Sequence, residues 1–81
     1  MPALPTTLRL RQRLIQAITE RLERQSLTRA KAAELLGVAH PRAVDLFAGR
    51  AERFSLDALV TLAENAGLTV RVSATRPYRR S

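Results

Sequence analysis

Leu14, Ile18 and Leu22 recur every four residues, with Ile15 and Ala17 beside them. Arg9, Arg13, Glu20, Arg21, Glu23 and Arg24 fall mostly elsewhere on the same helical wheel. That spacing makes one apolar stripe and predicts a packing helix over residues 8–25. Ser26 to Thr28 break the pattern, and Thr28 carries the hydroxyl that suits the start of a second helix. This helix runs to about Leu36, with Ala32, Ala33, Leu35 and Leu36 apolar. Gly37 stands where a residue of positive φ is wanted after a helix end. Val38 is then an apolar plug in a tight turn. A third helix starts near His40 or Pro41, since proline is tolerated in a first turn. Its Ala43, Leu46 and Phe47 face inward at helical spacing, and Gly49 ends it.

Residues 50–54 read as a loop. Ser55 then caps a fourth helix, with Asp57 in its positive first turn. Leu56, Leu59, Val60, Leu62 and Ala63 supply the apolar face, and Gly67 closes the helix. From Leu68 the period changes to two. Leu68, Val70, Val72 and Ala74 point one way; Thr69, Arg71, Ser73 and Thr75 point the other. This is the pattern of a half-buried strand. No second strand is visible, and a lone strand leaves its N–H and C=O groups without a ladder. The expectation is therefore a homodimer in which Leu68, Val70, Val72 and Ala74 form the dimerisation strand, paired with its copy about a two-fold axis. The alternative is an extended, solvated segment.

The flanks are simpler. Residues 1–7 hold two prolines and no periodicity and read as a flexible arm, with Thr6 or Thr7 available to cap the first helix. Residues 76–81 read as a basic tail. Between them, residues 8–75 form one domain, as an 81-residue length requires. The core is small for independent stability, and with no cysteine there is no disulfide or thiolate metal site to support it. No apolar run approaches the ~18 residues of a membrane span, and the N-terminus lacks a signal-type apolar segment. A cytoplasmic protein with no membrane partner is expected.

Charge narrows the partner. Fourteen basic residues oppose seven acidic ones, a formal net charge of +7. All the basic residues but Lys31 are arginine. Such a balance favours polyanions, nucleic acid first among them. With only Phe47, Phe54 and Tyr78 as aromatics, a stacking platform for single strands is not expected. One histidine, no cysteine and scattered carboxylates offer neither a catalytic site nor a metal site nor a cofactor site, so a non-enzyme is expected.

Two short helices joined by a Gly-containing turn, the second with a free polar face, are the elements of a helix-turn-helix unit. Ala33 is small where the helices cross; Gly37, Val38, Ala43 and Leu46 fit the turn and the packing. Over residues 14–74 the segments LLGV-x-x-PR, DL-x-x-GR and FSLD-x-L resemble the Xre (Cro/C1-type) helix-turn-helix family, and within it the HigA-type antitoxins. The resemblance implies a mainly α, four-helix Cro/C1-type domain that binds a palindromic operator in double-stranded DNA as a dimer. It also implies repression of the protein's own operon and neutralisation of a RelE/HigB-like toxin. This chain departs from the pattern at Ala39, where the family carries Ser or Thr, at His40, commonly Gln, and at Val44, commonly Ser.

On this reading the DNA-binding residues are Arg29, Ala39, His40, Arg42, Val44, Asp45, Arg50 and Arg53. Arg29, at the start of helix two, together with Arg50 and Arg53, meets phosphates. His40 meets a base or a phosphate, and Val44 a thymine methyl. Arg42 meets phosphate or guanine. Asp45 either accepts from cytosine N4 or orients Arg42 through a local ion pair. Arg71, Arg76, Arg79 and Arg80 are open to DNA, to a protein partner or to solvent. The leading function is a sequence-specific repressor, the antitoxin of a type II toxin–antitoxin pair. The alternative is an interaction module that neutralises a toxin with weak or no specific DNA binding. A nonspecific basic nucleic-acid binder is a third, weaker reading.

Overall fold

A computed structural model describes residues 6–76. Four helices follow one another: α1 Thr6–Arg24, α2 Arg29–Leu36, α3 His40–Phe47 and α4 Leu56–Asn65, with a 3-10 turn, Ala51–Arg53, between α3 and α4. Four helices in the expected order match the periodicity, and the caps explain where two of them start. The Lys31 N–H donates to Thr28 Oγ1 at 3.1 Å, and the Ala58 N–H to Ser55 Oγ at 3.1 Å. Each hydroxyl satisfies a backbone donor that the first helical turn leaves free.

At the end of α2, Gly37 takes φ 74°, ψ 32°. Its N–H donates to the Glu34 carbonyl at 3.2 Å, and the Val38 N–H to the Ala33 carbonyl at 3.0 Å. This is a Schellman closure, and it needs a residue without a Cβ penalty in the left-handed region. The reversed chain then drops Val38, half-buried, against the core. The same pair of bonds recurs after α3, from Gly49 and Arg50, and after α4, from Gly67 and Leu68.

The core is a single cluster. Ile15, Ile18 and Leu22 of α1 meet Leu36 of α2, Leu46 of α3, and Leu59, Leu62 and Ala63 of α4. No polar or charged side chain is buried among the described residues. The buried line of α1 therefore runs through Ile15, with Leu14 half-buried and Ala17 exposed, because α1 lies between α4 on one side and α3 with the 3-10 turn on the other. Phe54, expected only as a loop residue, is 2% exposed and among the largest side chains in the core. Burying such a ring stabilises by about 1.5–3 kcal/mol.

Two further expectations change. α1 begins at Thr6, so Thr6 and Thr7 are helical and neither caps it; the Thr6 hydroxyl instead accepts from Arg9 Nη2 at 3.3 Å. The C-terminal segment forms no strand among the described residues. Leu68 and Val70 are half-buried against the core while Thr69 and Arg71 are exposed, as the alternation requires. Val72 and Ala74 are exposed, Val72 by 86%. The described residues of a single chain provide no neighbouring strand for this segment to form a ladder with. The basic tail expected over residues 76–81 lies, but for Arg76, outside the described residues, as does most of the arm.

Candidate nucleic-acid interface

α3 is short, and its faces divide cleanly. Ala43 and Leu46 are buried and hold it to the core. His40, Pro41 and Val44 are exposed, Val44 by 41%. Helical spacing puts these three on one outer strip, and Ala39 stands exposed at its head. Ala39 takes extended angles, φ −68° and ψ 153°, but makes no side-chain cap bond, and Pro41 sits in the first turn. Of the residues expected to read bases, the outer strip thus gathers His40 and Val44, with the DNA-binding candidate Ala39 at its head.

Arg42 and Asp45 sit elsewhere. Both are half-buried, and both reach the loop after α3. Arg42 Nη1 donates to the Arg53 carbonyl at 2.7 Å, and its guanidinium lies 4.0 Å from the centroid of the Phe54 ring. Asp45 Oδ1 accepts from Arg50 Nη1 at 2.8 Å, and its Oδ2 is 3.7 Å from Arg53 Nη1. Of the two roles open to Asp45, the ion pair with Arg42 is not formed; the carboxylate pairs with Arg50 and Arg53. Only 15% of the Asp45 side chain is exposed, against 50% for Arg50 and 58% for Arg53.

Arg29, at the first position of α2, stays exposed while its guanidinium lies 3.7 Å from the Phe47 ring centroid. A guanidinium over a ring face gains from the ring quadrupole and is held in one orientation with its N–H edge free. The interface is therefore a weakly polar strip on α3 with Arg29 beyond one side and Arg50 and Arg53 beyond another. Lys31 points outward from α2 as well, in a surface pair with Glu34 at 3.4 Å. Pairs so exposed are worth little, so this ammonium is available to a phosphate.

The ring supports of Arg29 and Arg42 were not legible in the sequence, because each arginine meets an aromatic from a different element. Arg11 is a further case. Its Nη1 donates to the Phe54 carbonyl at 3.3 Å and the Ala51 carbonyl at 3.5 Å. It ties α1 to the loop that carries Arg53. Asn65 Nδ2 donates to the Leu36 carbonyl at 3.0 Å, securing the end of α2 just before the turn.

Apart from this candidate interface, an open apolar groove of about 310 Å³ runs between α1 and α4, beside residues 68–72. Leu10, Leu14, Leu56 and Val60 are among its walls. No helix of the described residues is long and apolar enough to cross a membrane.

A family model described as a helix-turn-helix domain matches residues 2–75. No curated protein matches the chain.

Proposed function

The chain belongs to the helix-turn-helix domain family, and from that premise we propose that it is a dimeric, sequence-specific repressor of transcription. The observation that carries this is the exposed strip of α3, flanked by Arg29, Arg50 and Arg53. Helix three of each copy enters the major groove at one half of a near-palindrome, the half-sites lying about one helical turn, ~34 Å, apart. Ala39, His40 and Val44 face base edges. The arginines bind phosphates, which set register and supply salt-dependent affinity. The protein acts by binding and carries out no reaction of its own.

The resemblance to Xre-type regulators, and to HigA-type antitoxins within them, gives the finer reading: the protein represses its own operon and neutralises a ribonuclease toxin of the RelE/HigB type. Dimerisation through residues 68–74 supports both halves. The segment carries apolar side chains along an open groove and makes no ladder in the single chain. A cytoplasmic location fits this role.

Binding to the DNA upstream of the protein's own gene, titrated with salt, tests the repressor reading. Affinity well above that for random duplex is expected at moderate salt; equal affinity for the two sinks it. Co-expression with a neighbouring RelE-like reading frame tests the antitoxin reading. Restored growth and a co-purifying complex are expected. One observation favours a second reading, in which toxin binding dominates and DNA specificity is weak: with Arg42 and Asp45 held by the loop, the strip left to read bases is small and nearly apolar.

A further inference from the structure

We propose that Asp45 is a positioning residue that fixes Arg50 and Arg53 as a two-arginine phosphate clamp beside the C-terminal end of α3; this rests on the DNA-binding reading. The sequence alone left Asp45 as a base reader or a partner of Arg42. The geometry supports neither role. Both carboxylate oxygens face arginines that follow the helix, and 15% exposure leaves little of the side chain for a cytosine edge.

Three ties fasten the loop to α3. The Asp45 carboxylate takes the 2.8 Å bond from Arg50 and stands 3.7 Å from Arg53. The Asp45 carbonyl also accepts the Arg50 N–H at 3.1 Å, so one residue holds both the backbone and the side chain of Arg50. Arg42 bonds the Arg53 carbonyl at 2.7 Å and covers Phe54, which is anchored in the core. The backbone between Arg50 and Phe54 is thus fastened to α3 at both ends.

The arginines remain half exposed or more, and a guanidinium keeps further N–H donors after giving one away. Two guanidinium groups against one carboxylate leave local positive charge. An arginine free in solvent must surrender its rotamer freedom when it grips a phosphate. Here that ordering accompanies folding, which lowers the cost at the moment of binding. Each copy in a dimer would present one such clamp.

The test measures affinity by fluorescence anisotropy at several salt concentrations on two duplexes. One is selected by the wild-type protein from a random pool; the other is its scrambled counterpart. Arg50→Ala is expected to weaken both duplexes alike and to lower the salt slope by about one. Asp45→Ala is expected to weaken both by about five- to tenfold, although it makes the protein more positive, as befits loss of a charge-assisted bond. In the Asp45→Ala background, Arg50→Ala is expected to cost clearly less than it does alone, the mark of coupled residues. Additive losses overturn the clamp. So does a loss confined to one base pair of the selected duplex, which would make Asp45 a base reader. A gain in affinity overturns it too, since the carboxylate would then only subtract charge. Asp45→Asn keeps the shape and one acceptor and is expected to fall between; it carries the same cycle if Asp45→Ala lacks wild-type helical circular dichroism. Wild-type protein without salt-sensitive binding to either duplex removes the DNA-binding reading itself and the clamp with it. Wild-type binding with additive losses removes the clamp alone.

Discussion

Ala39 precedes α3 with the backbone of an N-cap and no oxygen to complete it. Thr28 and Ser55 show what the missing group does at α2 and α4. Ala39→Ser is therefore expected to stabilise the protein by about 0.5–2 kcal/mol, read from the urea midpoint at unchanged slope. If the midpoint does not rise, the start of α3 differs from that described. Gly67 is a second position where one atom matters. Its φ is 90°, and a Cβ there would stand 3.0 Å from Arg21 Nη2. That arginine donates to the Ala66 carbonyl at 3.1 Å and secures the end of α4. At Gly37 the left-handed φ is similar but a Cβ meets open space. Gly37→Ala is expected to cost about 1–2 kcal/mol from backbone strain alone. Gly67→Ala is expected to cost more, since the tip of Arg21 must also give by a few tenths of an ångström to admit the Cβ. Equal melting temperatures for the two variants would contradict this ordering.

At the scale of elements, the proposed DNA reading has α3 separate stability from recognition. Ala43 and Leu46 are buried while His40 and Val44 are exposed. Alanine at both exposed positions is expected to leave the urea midpoint nearly unchanged and to alter which duplexes a random pool yields. The discrimination lost should be about 1–3 kcal/mol per affected base pair. An unchanged selected site would remove these residues from base reading. The helices themselves were legible because stripe, caps and closing glycines agree locally. Phe54 and Arg11 were not. Nothing adjacent in the sequence marks a loop phenylalanine as central, or an arginine of α1 as its clamp. Their roles come from elements that meet only after folding.

At the scale of the molecule, the proposed dimerisation would rest on residues 68–74. Val72, 86% exposed in the single chain, should contribute little to the monomer's fold. Val72→Arg is therefore expected to leave the helical content intact and to shift sedimentation from dimer to monomer. It should also weaken binding to a two-half-site duplex far more than to a single half-site. A wild-type monomer at micromolar concentration would defeat strand pairing, and the groove between α1 and α4 would then need another explanation.

Local chemistry carries the sequence a long way here. Period four in α1, hydroxyls before α2 and α4, and glycine after α2, α3 and α4 each act within a few residues, so order alone determined four helices and a tight turn at Gly37. The positive charge likewise needs only a count. What the tertiary structure decided is the employment of the charged side chains. Arg42 and Asp45 lie on the helix that was expected to read bases, yet Phe54, Arg50 and Arg53 take them up. An arginine's reach is long enough that its partner depends on which loop folds back beside it, and no periodicity records that. The short exposed strip of His40, Pro41 and Val44 is what remains once the loop is in place.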